Sequence, residues 1–517
     1  MKRRLIYNIF ATCLVFGSTA CSSDYLDTTP NRNTDPKVIF SSTDNAKLAI
    51  NGLSKLMVQQ YESQLFNGEG SIKTLYGNFQ GNDYQRTVMV SNLDNIANGG
   101  FMQNSTSVYD YYPWFYYYRI IGNANTAIAR IDGASGELTD KKFIKAQALT
   151  FRAYCYSMLV QMYSKRWMDS NNGESRGVVL RLDESKGDMP TSSLAKCYEQ
   201  IYKDLDDAIK LYQESGKNRN ENDNHLPNLN AAYAVYARAA LNREDWKVAA
   251  KYAALAREGY PLMNNTEYQS GFNKHNGEWI WSVYGSASES ISYYQFFAYE
   301  GSNSSSTWCR TRPATISKEL YDRIPTTDIR RNLFLAPNGD SYDLASNKAG
   351  TALQQRAKTD YAARLYSSTT IFAYMQMKSL AAVQPGVGEV NLFRSSEMYL
   401  IEAEAYCHLN REQEARDLLV DLNRNSGRDP EYSCNKSGAD LLDEVRLYNR
   451  IELWGEGHDW FNYKRWGLPI ERHSSAQGGN FLVNFAVTIA PSDNNGWTWI
   501  IPSKEVDYNS DILSGVE

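Results

Sequence analysis

Apolar residues recur at intervals of three and four over long stretches of the chain, with polar residues between them. This spacing places the apolar side chains on one face of a helix, so it predicts amphipathic α-helices. A cluster of small polar residues at 41–44 is typical of a helix start and precedes the first stretch. The clearest stretches cover 46–57, 121–131, 149–163 and 201–212.

Two later segments share one pattern: an alanine-rich helix, a Leu-Asn-Arg-Glu turn and a second helix. The turns lie at 241–244 and 409–412. Small alanine faces let paired helices approach closely, and repeated pairs of this kind are typical of tetratricopeptide-like folds. The earlier stretches supply two further, more degenerate pairs. The sequence therefore predicts a mainly α-helical chain with about four tetratricopeptide-like helix pairs.

The pattern changes between about 261 and 385, which we interpret as a loop-rich insertion into the helical frame. Trp279, Trp281 and Val283 alternate with their neighbours, which predicts a short strand. The stretch 286–312 combines many serines with large aromatic rings, which core packing does not readily explain. We therefore expect a loop-rich face with short strands, supported by the helix pairs.

The segment 441–467 predicts a helix that bends and then resumes. Glycine inside a helical pattern costs about 1 kcal/mol, so Gly455 and Gly457 together indicate a specific bend. One interpretation is a structural clamp, anchored by aromatic rings and ion pairs. The other is an active site. The clamp would use Trp454, Trp460 and Trp466, and the active site would use Glu452, Glu456 and His458.

Composition is that of an ordinary globular protein, with 22% charged and 42% hydrophobic residues in 517. The 37 tyrosines are unusual, and a tyrosine ring offers both a flat apolar face and a hydroxyl group. Residues 1–20 carry three cations and no acid, so their removal takes the formal charge from −5 to −8. A chain this acidic is a poor candidate for nucleic-acid binding.

The N-terminus has the features of an export signal. A basic segment at 2–4 is followed by an apolar run at 5–16, which is too short to span a bilayer. Small residues then precede Cys21. We therefore predict a signal peptide at 1–20 and a lipid anchor on Cys21. The alternative is an ordinary signal peptide and a soluble secreted protein.

Motifs for common catalytic chemistry are missing from the sequence. No HExxH, GxSxG, Walker loop or helix-opening GxGxxG occurs. Beyond Cys13 and Cys21, five cysteines remain without CxxC spacing, so we expect no metal site and no cofactor. Acidic residues are plentiful, which leaves a glycosidase pair open.

A resemblance emerges in the segment 450–467. Its Arg-x-Glu-Leu-x-x-Glu-Gly-His-x-Trp-Phe-x-x-x-Arg-Trp-Gly pattern resembles the C-terminal signature of the SusD/RagB family. This chain has Asn449 and Asn462 where that family usually has Glu and Asp. Segments at 24–27, 328–331, 392–405 and 499–509 also resemble the family, so the similarity covers nearly all of 21–517.

That resemblance implies a SusD-like glycan-binding domain at 21–517. It also implies a non-catalytic surface lipoprotein of the outer membrane that delivers glycan to a SusC-like TonB-dependent transporter. A secreted glycoside hydrolase and a protein-binding helical-repeat scaffold remain alternatives from other functional classes. The scaffold would not require the serine-rich aromatic loop.

Ligand-binding residues are expected on the loop face, where residue types suit a sugar. Flat rings cover the apolar faces of sugars, and planar polar groups bind neighbouring hydroxyls. The aromatic run at 109–118 is the next candidate, although such a run more often packs a helix start. The predicted residues are Asn82, Asp83, Arg86, Tyr293, Tyr294, Trp308 and Arg310.

Overall fold

The computed structural model describes residues 35–512 and 515, apart from 64, 89–92 and 287–293. The predicted signal peptide, Cys21 and Tyr293 lie outside the described residues. Within them, no helix combines the length and the apolar character needed to cross a membrane.

Within the described residues, the first half of the chain contains the longest helices, together with three short ones. Its helices are α1 Pro36–Ile39, α2 Thr43–Leu56, α3 Glu69–Ser71, α4 Leu93–Ala97, α5 Val108–Arg130, α6 Leu138–Tyr163, α7 Leu194–Ser215, α8 Leu229–Asn242 and α9 Trp246–Arg257. A π-helical segment, Ile72–Asn78, continues α3.

The second half begins with short helices and returns to longer ones. Its helices are α10 Asn265–Tyr268, α11 Phe296–Glu300, α12 Thr307–Thr311, α13 Lys318–Asp322, α14 Thr351–Asp360, α15 Ser395–His408, α16 Glu412–Val420, α17 Gly438–Glu452, α18 Asp459–Trp466 and α19 Ser503–Tyr508.

Sequential packing of the long helices confirms the predicted mainly helical class. The helices α6 and α7 pack together, as do α8 with α9 and α15 with α16, while α2 and α5 pack against one another and against α6. Alanines such as Ala234, Ala253 and Ala403 are fully buried between helices, which lets the helix axes approach closely. The predicted helix pairs are therefore present.

The helical frame continues across the insertion. The helix α9 packs directly on α15, although about 140 residues separate them in sequence. Arg257 pairs with Glu402 at 3.0 Å, and the rings of Trp246 and His408 stack with centroids 3.9 Å apart. The residues between these helices thus leave the frame and return to it at neighbouring points.

Short antiparallel strands organise the loop-rich side. The strands are β1 Tyr84–Arg86, β2 Trp279–Val283, β3 Ala314–Ile316, β4 Phe334–Leu335, β5 Met375–Gln376, β6 Val390–Arg394, β7 Ile470–Glu471 and β8 Thr488–Ile489. A four-stranded sheet has the order β1-β3-β5-β4, in which Arg86 of β1 lies opposite Ala314 of β3. The predicted strand at Trp279–Val283 is confirmed as β2, and it pairs with β6.

The predicted bend separates α17 from α18. Gly455 and Gly457 adopt φ values of 74° and 85°, a left-handed conformation that side chains disfavour. The π-helical segment lies against this bend, where Lys73 donates to the carbonyl oxygen of Glu456 at 2.7 Å. A Cβ on Gly457 would lie 2.6 Å from the Cβ of Lys73, so the bend leaves no space for a side chain.

We predict that Gly457→Ala destabilises the protein more than Gly216→Ala. Both glycines have positive φ, which costs a larger residue roughly 1–2 kcal/mol. Only Gly457 also meets a neighbouring side chain, because a Cβ on Gly216 would meet nothing within 4 Å. Urea unfolding of both variants checks this. Equal losses of unfolding free energy would show that the close approach to Lys73 is unimportant.

Candidate functional site

A buried cluster of opposite charges lies beside the bend, and we call it the central ion network. Its centre is Arg394, the last residue of β6. The guanidinium contacts Glu278 and Glu452 at 2.7 Å and Glu456 at 2.8 Å. These contacts join the loop-rich side to the end of α17 and to the bend.

The remaining members complete the charge balance. Arg330 pairs with Asp328 at 2.6 Å and with Glu452 at 2.8 Å. Arg428 lies 3.2 Å from Glu452, and Lys378 lies 2.5 Å from Glu456. All members are buried, and the acids and bases balance: Glu278, Asp328, Glu452 and Glu456 against Arg330, Lys378, Arg394 and Arg428.

The electrostatics of the bend confirm the clamp interpretation. Burial alone would raise the pKa of Glu456, but Arg394 and Lys378 lower that pKa to about 2. Burial also opposes ionisation of Glu452, whose pKa the surrounding arginines nevertheless hold well below its usual value. Burial and nearby cations hold the pKa of His458 well below its usual value, so this imidazole is neutral. Both carboxylates are therefore fully engaged in structural ion pairs.

Two asparagines, Asn449 and Asn462, lie next to this clamp. The amide nitrogen of Asn462 donates to the amide oxygen of Asn449 at 2.8 Å. A neutral hydrogen bond therefore joins α17 and α18 at this point. The tryptophans that flank the bend are buried as well: Trp454, Trp460 and Trp466.

Asn82 and Asp83 belong to the same clamp, which corrects the expectation that they face a ligand. Asp83 is 1% exposed, and its carboxylate accepts from Nε and Nη2 of Arg450 at 2.6 and 2.7 Å. The side chain of Asn82 is buried and accepts from the backbone N–H of Glu471 at 2.6 Å. Their polar groups are bound to protein partners, so the structure does not place them on the loop face.

Arg86 lies beneath the loop face rather than on it, which corrects its predicted role as a ligand donor. It is 1% exposed and packs over the ring of Tyr84 with its guanidinium 5.6 Å from the centroid. One nitrogen donates to the carbonyl oxygen of Arg312 at 3.2 Å, and another lies 3.4 Å from Glu300. Arg86 therefore supports the segment that carries Trp308.

Trp308 and its neighbours form a partly exposed cluster that we call the aromatic face. The ring of Trp308 lies 5.3 Å from that of Tyr299, centroid to centroid, at an interplanar angle of 42°. Arg312 follows Trp308 by one helical turn and places its guanidinium 4.8 Å from the indole centroid. We define the aromatic face as Tyr294, Tyr299, Trp308, Arg310, Arg312 and Tyr366.

Serines of the preceding loop fix the orientation of α12. Ser306 caps the helix by accepting from the backbone N–H of Cys309 at 3.2 Å, and its hydroxyl donates to the carbonyl oxygen of Ala298. Ser304 donates to the carbonyl oxygen of Pro385. The thiol of Cys309 points inward and is buried, so Trp308 and Arg310 lie on the outer side of the helix.

Arg310 ties the aromatic face to a segment distant in sequence. Its Nε donates to the carbonyl oxygen of Ser305 and its Nη1 to the hydroxyl of Ser368, each at 2.9 Å. The guanidinium lies 5.8 Å from the ring of Tyr366, which is 38% exposed. Sequence reasoning missed Tyr366, because no local pattern marks it and only tertiary structure brings it to Arg310.

Tyr294 is the remaining described member of the predicted set. Its ring is half-buried, and its carbonyl oxygen accepts from Asn67 at 2.6 Å. Tyr294 lies close to Tyr299, whose ring contacts Trp308, so these aromatic residues group with Arg310, and Arg86 lies beneath the segment that carries Trp308. Sequence reasoning did not select Tyr299 or Arg312, although both lie in the aromatic stretch that it singled out.

The aromatic run at 109–118 mainly packs the start of α5. Tyr112, Trp114, Tyr116 and Tyr117 are buried in the core. The ring of Phe115 is half-buried and stacks on Tyr61. The interpretation as helix packing is therefore the one that the burial of most rings supports.

The described residues offer no reactive thiolate at Cys197 or Cys309 and no cluster of metal ligands. Burial raises the pKa of Cys309 to about 11 and that of Cys197 to about 12, so these thiols stay protonated. No group of three or more His, Cys, Asp or Glu side chains in the described part of the chain could hold a metal ion.

Family comparisons agree with this architecture. A SusD-like family described as "Starch-binding associating with outer membrane" matches residues 24–241. The family described as "SusD family" matches residues 249–512, just over half of the chain. The chain belongs to the SusD family. No curated protein matches the sequence.

Solved structures with the SusD-family fold superpose on nearly the whole chain. A SusD-like carbohydrate binding protein from Bacteroides vulgatus matches with a TM-score of 0.74 and 22% identity, covering 92% of this chain and 98% of that one. A SusD superfamily protein from Bacteroides thetaiotaomicron matches with a TM-score of 0.72 and 23% identity, covering 91% and 99%. A SusD-like carbohydrate binding protein from Bacteroides fragilis matches with a TM-score of 0.68 and 16% identity, covering 92% and 99%.

We predict that Arg394→Met destabilises this SusD-family protein by roughly 3–5 kcal/mol, because the substitution leaves buried carboxylates without their partner. The matched control is Arg411→Met, which breaks an exposed pair with Glu414 and should leave the unfolding midpoint nearly unchanged. Urea unfolding followed by circular dichroism measures both. Similar midpoints for the two variants would contradict the structural role of the central ion network.

Proposed function

We propose that this protein is a non-catalytic glycan-binding lipoprotein of the outer-membrane surface. It holds an oligosaccharide or polysaccharide at the aromatic face and delivers it to a SusC-like TonB-dependent transporter. The observation that carries the proposal is the partly exposed ring of Trp308 on a rigidly fixed helix, with arginine donors on either side. Membership of the SusD family supports the same role.

Glycan binding suits the chemistry of this face. An indole ring can cover the apolar face of a pyranose, and adjacent N–H groups can donate to its hydroxyls. Tyr299 and Arg312 hold the Trp308 ring in place, so little side-chain entropy is lost when a sugar stacks on it. Hydrogen bonds to sugar hydroxyls replace hydrogen bonds to water, so we expect modest affinity.

The burial of Glu300 favours a binding role over glycoside hydrolysis. Hydrolysis requires two carboxyl groups that flank the scissile bond. Glu300 lies under the aromatic face but is buried, and it accepts from Tyr84 at 2.7 Å and from Thr74 at 3.1 Å. Arg86 also lies beside it, so Glu300 has no open position from which to act on a sugar.

The sequence supports the lipid anchor in this proposal, and membership of the family supports the transporter partner. Cys21 follows an export signal, and acyl chains on a mature N-terminal cysteine would hold the protein at the membrane surface. Two of the similar structures carry names that describe carbohydrate binding proteins. A protein-only scaffold remains the second class, and it would not need Trp308 for its ligand.

We predict that Trp308→Ala weakens glycan binding at least tenfold while the protein stays folded, because stacking on an aromatic ring is lost. A glycan array identifies the ligand, and titration calorimetry then measures its affinity. The matched control is Trp246→Ala on the helical frame, where the ring stacks on His408. Unchanged affinity in folded Trp308→Ala would place the ligand elsewhere on the protein.

We predict that Cys21→Ala releases the protein from the membrane fraction or leaves its signal unprocessed. The thiol of Cys21 is the proposed site of lipid attachment, so its removal leaves no atom for the acyl chain. Cys13→Ala, within the apolar run of the signal, is the matched control and should keep the protein on the membrane. Full membrane retention of Cys21→Ala after fractionation would contradict the anchor.

A further inference from the structure

We propose that the aromatic face selects glycans that carry oxyanions, either the carboxylates of uronic acids or sulfate esters. The inference rests on the proposed function, since it assumes that a glycan binds this face. It adds the chemical class of that glycan, and it derives from the charge of the two arginines that border Trp308.

Arg312 carries a positive charge that no described carboxylate neutralises. Its side chain is half-buried against the indole of Trp308. Among the described residues, its guanidinium forms neither an ion pair nor a side-chain hydrogen bond. A cation–π contact orients the group but leaves its N–H donors available to a ligand.

Arg310 is fixed by neutral partners in a similar way. Its Nε and Nη1 donate to the carbonyl oxygen of Ser305 and to the hydroxyl of Ser368. In the described part of the chain, Nη2 of Arg310 has no acceptor and no carboxylate pairs with this guanidinium. The group is therefore rigid and charged, with donors still to be satisfied.

Several partly buried arginines elsewhere in the protein either pair with acids or donate to backbone carbonyl oxygens, the latter as Arg219 and Arg364 do. Arg238 pairs with Glu397 at 2.6 Å, Arg257 with Glu402 at 3.0 Å and Arg356 with Asp340 at 2.8 Å. The chain also has more acids than bases, 59 against 54. Among the described residues, no acid pairs with Arg310 or Arg312, so two positive charges border Trp308 at the proposed ligand site.

An oxyanion on a sugar complements this arrangement. Guanidinium groups bind carboxylate and sulfate oxygens through paired N–H donors, and such charge-assisted bonds are about twice as strong as neutral ones. A sugar ring stacked on Trp308 would carry its substituent towards the arginines on the same helix. A neutral sugar would cover part of the two cations without supplying an opposite charge, which costs desolvation.

Matched pairs of ligands test the selection by titration calorimetry. One pair is an oligogalacturonate and its methyl ester, and the other is a chondroitin sulfate oligosaccharide and its desulfated form. We expect the oligosaccharide with the free carboxylate or with sulfate to bind on the order of tenfold more tightly than its partner. The two pairs distinguish a carboxylate-binding site from a sulfate-binding site. Rising salt should weaken this preference, because the charges lie near the surface.

The double variant Arg310→Gln/Arg312→Gln should bind both members of each pair with equal affinity, at or below the affinity of the wild type for the neutral member, because the charge and some of the donors to sugar hydroxyls are lost together. Arg312→Lys keeps the charge without the paired donors and should retain part of the preference. Arg119→Gln is the matched control, because Arg119 lies over the ring of Tyr61 outside the aromatic face. Its binding should equal that of the wild type.

The outcomes separate this inference from the proposed function. Equal affinity for both members of each pair, with Trp308-dependent binding to a glycan, would overturn the selection for oxyanions and leave the proposed function intact. Absence of binding to any glycan on the array and in calorimetry would overturn both. A preference that persists in the folded double variant would also overturn the role of the arginines.

Discussion

Four carboxylates and four basic side chains share the interior beside the bend between α17 and α18, and each is tolerable there only because an opposite charge lies next to it. Burying a single charge would cost several kcal/mol, whereas a balanced network with good geometry approaches neutrality. The network draws its members from distant parts of the chain, including β6, the insertion and the end of α17. It therefore fixes how the loop-rich side meets the helical frame, next to β4 and β5, whose neighbours Arg330 and Lys378 belong to the network.

The aromatic face is held in position by a different kind of contact. Hydroxyl groups of Ser304 and Ser306 bind backbone carbonyl oxygens, and Arg86 supports the backbone at Arg312 from below. These contacts let a short helix of five residues hold Trp308 rigidly at the surface. A serine-rich composition, which in isolation suggests a flexible segment, here supplies the hydrogen bonds that keep the loop in one conformation.

Sequence patterns predicted the helical frame well because apolar spacing and alanine-rich helix faces report local geometry directly. They also predicted the bend at Gly455 and Gly457, because two glycines so close together in a helical pattern indicate a break in the helix. They were less successful with Asp83, because a polar residue in a loop-rich segment looks the same whether water or a buried arginine satisfies it. They missed Tyr366 for a related reason: its place in the aromatic face depends on contacts across tens of residues, which no local pattern records.

The insertion between α9 and α15 has a consequence for how this chain can vary. Its two ends lie side by side, because α9 packs on α15 and β2 pairs with β6. Stacking of the repeat units therefore continues across the insertion. Segments of the insertion that contribute no member to the central ion network can change in length and composition without disturbing the helices. The loops that recognise a ligand can in this sense evolve separately from the helical frame. The surface that meets the ligand can be rebuilt while the scaffold is inherited unchanged.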